Sequence, residues 1–416
     1  MNSMDSADRR RAVRRRLRMA SAVVGVLCAV AACGGGASSE GGRATGANVP
    51  PESFPDSPTT SFQGAWPSPL GDIGPADVVA LGAHLAFAYD RKDVGVTAFR
   101  LDSGEVAWHT AAPAGGTVAQ APPRLAGNAV IGAFAVTEEG TGTYADRHGV
   151  TVVALDAGTG RTLWTREIGG EFANPAAAPH VVGADPRHVL VASYEQGYEE
   201  TPPSSVLLDT RTGRIIWTEA DFKGVDLEQS VAVGIRSDDS FAGKSVADNI
   251  QLWKRDLPFG ESEAADPGPG LTWIDGTAAD EPLLIDPTTG ATRLDSGDTQ
   301  LEKCHYDGWT TTICAGTDES AHPAVWAVDV RTARVLWRLP DESANRVAPR
   351  ITSAWHGAVY AQADQAMTLD ARTGRDLRTD LGLVSPAMVN DHYGLVYDDT
   401  SHSIDVYRAP DAFVSG

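Results

Sequence analysis

One pattern recurs six times in this chain and limits what it can fold into. It reads AFRLDSGEVAW at 98–108, ALDAGTGRTLW at 154–164, LLDTRTGRIIW at 207–217, LIDPTTGATRL at 284–294, AVDVRTARVLW at 327–337 and TLDARTGRDLR at 368–378. Repeats of this size describe one supersecondary unit used many times, so the 416 residues need not mean several unlike domains. The residues before the Asp alternate as a half-buried strand does. Asp156, Asp209, Asp286, Asp329 and Asp370 suit a turn, because a carboxylate can accept backbone N–H groups within it. Gly104, Gly160, Gly213, Gly290 and Gly374 supply a positive φ at low cost. Thr159 stands just before Gly160 in the fullest copy. The strand that follows carries Trp108, Trp164, Trp217 or Trp337, a flat ring suited to packing between units.

A fainter repeat lies upstream. Ala121-Pro122, Ala178-Pro179, Ala348-Pro349 and Ser385-Pro386 each precede an apolar stretch that reads as strands, such as NAVIGAFAV or GAVYAQA. Each unit is therefore four antiparallel strands. Such units bury both faces only by stacking around a ring, which predicts an all-β propeller. The six copies are spaced 56, 53, 77, 43 and 41 residues apart. The 77-residue interval holds an insertion or a blade without the motif. GLVYDDTSHSIDVYRAP near the end supplies two more strands, and SFQGAWP near residue 61 the outer strand of the same blade. That joins the termini and predicts seven blades, with eight as the alternative.

The pattern A-x-D-x-x-T-G-x-x-x-W resembles the tryptophan-docking motif of the quinoprotein-type, or PQQ-like, β-propeller family. Ala154, Asp156, Thr159, Gly160 and Trp164 match it in full. Arg100 replaces Asp, Ala333 replaces Gly, and Leu294 and Arg378 replace Trp. The resemblance covers about residues 61–410 and implies that each Trp stacks on the motif of the next blade. In quinoprotein dehydrogenases it would also imply PQQ with Ca²⁺ over the channel, a catalytic Asp and, in many members, two adjacent cysteines. No adjacent cysteines exist here and no Asp maps onto the catalytic one, so neither PQQ, Ca²⁺ nor any other metal or cofactor is expected.

The N-terminus reads as a targeting segment. Seven arginines between Arg9 and Arg18 precede an apolar run from Met19 to Ala32, then Val30-Ala31-Ala32-Cys33 and three glycines. This resembles a bacterial lipobox, which implies cleavage after residue 32 and lipid on Cys33. An ordinary signal peptide or an uncleaved anchor is the alternative, and the export route, Sec or twin-arginine, stays open. Residues 33–60 read as a Gly/Ser/Pro-rich tether and 411–416 as a tail. Cleavage would remove seven Arg and two Asp and take the net charge from −21 to −26. That argues against nucleic acid and against electrostatic attachment to anionic lipid. In an oxidising compartment Cys304 and Cys314 are expected to form a disulfide. A two-residue turn at Asp307-Gly308 would misalign them, so the pairing needs a longer turn centred near Trp309.

Other chemistry is thin. The ten histidines are scattered, with no H-E-x-x-H, and there is no G-x-S-x-G elbow or phosphate loop. The acids of SYEQGYEE and VYDDTSHS lack EF-hand spacing and read as solvated loops. The stretch 237–275 carries Trp253, Lys254, Arg255, Phe259 and Trp273 in the widest interval. It is either a face loop whose Trp253, Arg255 and Phe259 meet a partner, or a variable blade with its aromatics in the core. The expectation is an exported, lipid-anchored, monomeric propeller acting as a non-enzymatic protein-binding or scaffold module at the cell surface. A small-ligand or quinone sensor using the channel, and a degenerate quinoprotein dehydrogenase, are the alternatives.

Overall fold

The computed structural model describes residues 49–410 apart from 65–77, 119–120, 170–177, 195–202, 229, 239, 257–261, 266, 277–278, 296–299, 319, 380, 383 and 399. The segments 1–32 and 411–416 and the lipid site Cys33 lie outside the described residues. Among the described residues no helix is long and apolar enough to cross a membrane.

Eight antiparallel sheets follow one another along the chain. Blades 1 to 7 span residues 79–111, 116–168, 178–220, 223–256, 262–295, 300–339 and 350–378. Blade 8 takes three strands from 388–408 and its outer strand, Thr60–Gln63, from the other end of the chain. Thr60 pairs with Val406 and Gln63 with Ser403, so both termini close one blade. Strands from the two ends of the chain thus share one sheet, which holds the ring closed.

The expected count of seven is corrected to eight. The 77-residue interval contains blade 4, whose turn is SVADNIQLW at 245–253. Ser245 stands for Asp, Asn249 for Gly, and Trp253 keeps its place, at the same spacing as in the other copies. Asn249 takes φ 61°, which Asn tolerates better than most residues because its short polar side chain bonds locally. The blade obeys the repeat physically while hiding it in letters.

Second and third strands read as continuous apolar runs because both of their faces are covered. Val189, Leu190, Val191 and Ala192 are all buried. The core lies between blades. Ile131, Val152 and Ala154 of blade 2 meet Val189, Val191 and Val206 of blade 3. Across the closing seam Phe62 stacks on Phe99, ring centroids 4.5 Å apart.

The tether expected over 33–60 is partly built into the ring. Pro51 and Phe54 are buried, Phe54 against Tyr360 at 5.9 Å, and the Tyr360 hydroxyl donates to Pro51 O at 2.7 Å. Glu52 pairs with Arg378 of blade 7. Burial of a large aromatic stabilises by roughly 2–3 kcal/mol, enough to fix a Pro-rich segment that has little entropy to lose.

Candidate functional site

In blades 1 to 7 the third-to-fourth-strand turn has one geometry. Its left-handed position is Gly104, Gly160, Gly213, Asn249, Gly290, Ala333 or Gly374, with φ between 52° and 73°. A bulge just before the Trp position shifts the register and re-aims that side chain toward the next blade. The residue opposite the Trp is small in four blades, as with Ala154 opposite Trp164. A Cβ on Gly243 would lie 2.1 Å from Trp253 Nε1, so blade 4 has glycine where the other three have alanine.

Trp108 Nε1 donates to Ala157 O at 3.0 Å, Trp164 to Thr210 O at 2.7 Å, Trp253 to Pro287 O at 2.8 Å and Trp337 to Ala371 O at 2.8 Å. The N–H groups of Ala157, Thr210 and Ala371 bond the first turn of their own blade, at Asn128 O, Arg187 O and Gly357 O. The residue that accepts the indole bond thus joins both turns of its blade to the blade before it. Trp217 departs from this scheme. It is buried, but its Nε1 has no hydrogen-bond partner among the described residues. Its neighbours instead form a polar network in which Glu219 accepts from Lys244 and Asn249, each at 2.7 Å.

The repeat carboxylates are occupied by their turns. Asp156 Oδ1 accepts from Thr159 N at 3.0 Å and Thr159 Oγ1 at 2.8 Å. Asp209, Asp329 and Asp370 do the same with Thr212, Thr332 and Thr373, and Asp286 with Thr288 and Thr289 N. The threonine hydroxyls are the largest cause holding Asp156 and Asp209 below the usual carboxylate range. Ala333 carries a Cβ where its counterparts are glycine. Ala333→Gly is expected to raise unfolding stability by about 0.5–1 kcal/mol, the relieved strain exceeding the entropy cost of glycine; urea titration reads it.

Trp253 and Arg255 lie in the outer strand Gln251–Asp256 and are taken up by blade 5. Arg255 Nη1 donates to Thr292 Oγ1 at 2.8 Å. Residues 240–256 are strands and a turn, so the blade reading holds there against the face loop. Phe259 lies outside the described residues. Trp273 is buried.

A different aromatic group stands on the surface. The first strands of neighbouring blades lie beside one another around the axis, so first turns form the inner rim of one end of the ring. On this rim Trp309 of blade 6 stacks on His356 of blade 7 at 4.9 Å and 10°. His356 stacks in turn on Trp355 at 4.0 Å. Trp355 Nε1 donates to Asp391 Oδ1 of blade 8 at 2.8 Å, and His356 Nδ1 faces the same oxygen at 3.1 Å. The rim continues with His392 stacked on His84 of blade 1 at 6.0 Å. Trp309 is 48% exposed. His356 holds φ 44°, uncommon for a non-glycine residue.

The hairpin that presents Trp309 is braced. Cys304 and Cys314 are directly opposed and disulfide-bonded, Cα to Cα 4.0 Å. The turn between them spans 307–310, longer than two residues. Buried Asp307 Oδ1 accepts from the N–H of Trp309, Thr310 and Thr311 at 2.8–3.0 Å. Replacing both cysteines by serine is expected to cost roughly 2–3 kcal/mol, read as a lower melting temperature in the absence of reductant. Sequence reasoning missed Trp309 as a surface residue. The available signal was DGW beside WHG, two tryptophans next to turn glycines and away from the docking position.

A quinone held with a divalent cation would need a cluster of oxygen donors on this rim. Among the described residues no group of three or more His, Cys, Asp or Glu is placed to hold a metal ion. Asp307 is spent on three N–H groups, and Asp391 faces Trp355 and His356.

Eight antiparallel blades, seven of four strands and one of five, closed by strands from both ends of the chain and joined at four seams by docked tryptophans, define a tryptophan-docked β-propeller. A family model described as outer membrane protein assembly factor BamB matches residues 92–295. That match covers just under half of the chain, and the repeats are similar to those of PQQ-like β-propellers. No curated protein matches the sequence. Among solved structures it is similar to the computationally designed Ika8 protein, 14% identical with a TM-score of 0.50, covering 85% of this chain and 99% of that one. BamB from Moraxella catarrhalis is 14% identical, TM-score 0.45, covering 84% and 99%. Quinohemoprotein alcohol dehydrogenase ADHIIG from Pseudomonas putida HK5 is 10% identical, TM-score 0.47, covering 85% and 76%. The likeness to the designed protein is one of fold.

Proposed function

We propose that this protein is a non-enzymatic protein-binding scaffold, exported and held at the membrane by lipid on Cys33. The observation that carries the reading is the Trp309 stack. Half-exposed tryptophan held rigid by a disulfide hairpin, a three-bonded Asp307 and a ring stack is the kind of anchor that binding surfaces use, because little entropy is lost when it is covered. The repeat carboxylates support it from the other side: each is engaged in a turn, which leaves them structural rather than chemical. The family description, an assembly factor, is in keeping with a scaffold.

Crosslinking in intact cells, followed by purification and mass spectrometry, tests the reading. A near-stoichiometric partner is expected, and Trp309→Ala should lower its recovery by about tenfold or more while leaving the melting temperature unchanged. Good recovery of the protein with no partner would overturn it.

A further inference from the structure

Blade 2 carries more strand than its place in the ring needs. Its middle strands, Ala129–Glu138 and Arg147–Asp156, have ten residues each, whereas their counterparts in the other blades have five to seven. Residues from Ala129 to Phe134 and from Val150 to Leu155 are buried between blades. Beyond them Thr137, Glu138, Glu139 and Arg147 are exposed or half-exposed. The surplus of three to five residues per strand amounts to about 10–17 Å of extended chain. This arm is ordered within itself: Gly140 N donates to Asp146 Oδ1 at 2.9 Å, and Thr137 Oγ1 lies 3.1 Å from His148 Nδ1. Tyr144 near its tip is 79% exposed. The arm is on the second-to-third-strand side, at the end opposite the Trp309 rim.

A groove of about 850 Å³ lies between the arm, the linker at Pro113-Ala114 and the end of the outer strand Thr162–Ile168. Its accessible lining is apolar at Pro113, Ala114 and Val136 and acidic at Glu138, Asp146 and Glu167; Val150 and Ile168 below it are buried against blade 3. Arg147 is the one Lys or Arg among these lining residues. Glu138 and Glu167 are exposed and take part in no ion pair among the described residues. The outer strand is also a sheet edge, with one hydrogen-bonding row that no strand of its sheet fills.

We propose that this groove docks an extended, Lys- or Arg-bearing segment of a protein partner, a reading that rests on the scaffold function above. The segment's apolar side chains meet Pro113, Ala114 and Val136, and its cations meet Glu138 and Glu167. An extended chain is the class of ligand that alternates its side chains in this way and pairs with an exposed edge. The excess of carboxylates sets the sign of the partner's charge.

The probe is a fluorescein-labelled octapeptide of alternating Lys and Val, titrated by anisotropy into the purified full-length chain, with the Glu-Val octapeptide beside it. The Lys-Val peptide is expected to bind and the Glu-Val peptide not. The pair Glu138→Gln and Glu167→Gln should weaken binding by about tenfold, since two ion pairs are lost. Asp102→Asn with Glu105→Gln, at the other end of the ring, should leave it unchanged. Equal losses in the two variants would reduce the binding to general charge attraction and overturn the proposal. So would unaltered binding in the Glu138/Glu167 variant, or no binding at all. The two readings separate in cells. If crosslinking recovers a partner and the Glu138/Glu167 variant recovers it equally well, the groove assignment falls and the scaffold stands. If crosslinking recovers none, the scaffold falls whatever the peptide does.

Discussion

Gly160→Val is expected to cost about 4 kcal/mol and to loosen the seam between blades 1 and 2, from two separable causes. The backbone there has φ 70°. A β-branched residue in the left-handed region loses about 2 kcal/mol or more relative to glycine. The second cause is contact. A Cβ at residue 160 would lie 2.6 Å from Cδ2 and Cε3 of Trp108 and 2.9 Å from Thr110 Oγ1. The indole cannot move away freely, because its Nε1 bond to Ala157 O and the Thr110 bond to Gly160 O fix it from both sides. Overpacking of this kind costs roughly 1–3 kcal/mol. Urea unfolding should show a lower midpoint, and Trp108 fluorescence should shift red as the ring becomes hydrated. If Gly160→Val kept both the midpoint and the emission of the parent, the docked tryptophan would not be what joins neighbouring blades.

The motif was legible wherever its letters followed from local physics. Turn position, bulge and ring leave little choice of residue, so Asp156, Thr159, Gly160 and Trp164 could be read directly. Blade 4 was not legible as a copy, because Ser245 and Asn249 solve the same turn with other residues. What survives there is conformation and spacing, which one sequence shows only after the conformation is known. The segment 49–59 misled for the opposite reason. Its Pro and Ser content looks like a linker, yet the single Phe54 is enough to seat it. The Trp309 rim was illegible because its members, Trp309, His356 and Asp391, come from three blades and meet only through ring closure. The arm of blade 2 was hidden in plain composition: GTGTYADRHG reads as a turn by every local sign, and only the length of its flanking strands reveals a projection.

Acid should begin to destabilise this propeller before its carboxylates titrate. Two innermost-strand histidines, His180 of blade 3 and His305 of blade 6, have their pKa values pushed down to about 4. Burial is the larger cause for both; Lys223 and Arg124 add to it at His180, and Lys303 at His305. In the unfolded chain a histidine titrates near 6.5. The folded state therefore favours the neutral rings, and their contribution is fully present above pH 6.5. It is lost as pH falls from 6.5 toward 4, where the unfolded state binds protons that the folded state refuses. A shift of this size corresponds to at most about 3 kcal/mol for each ring. The carboxylates held low in their turns, Asp156 and Asp209, act later, because their contribution persists until pH falls below the usual carboxylate range. Urea midpoints taken between pH 7.5 and 4 should fall with a slope approaching two protons. His305→Gln should halve that slope at a modest cost at pH 7.5. A flat profile down to pH 4.5 would mean that both rings accept protons in the folded state. His305 is the residue next to Cys304, and because the folded state keeps its ring neutral, partner binding through the Trp309 rim should weaken over this interval only as the protein itself unfolds.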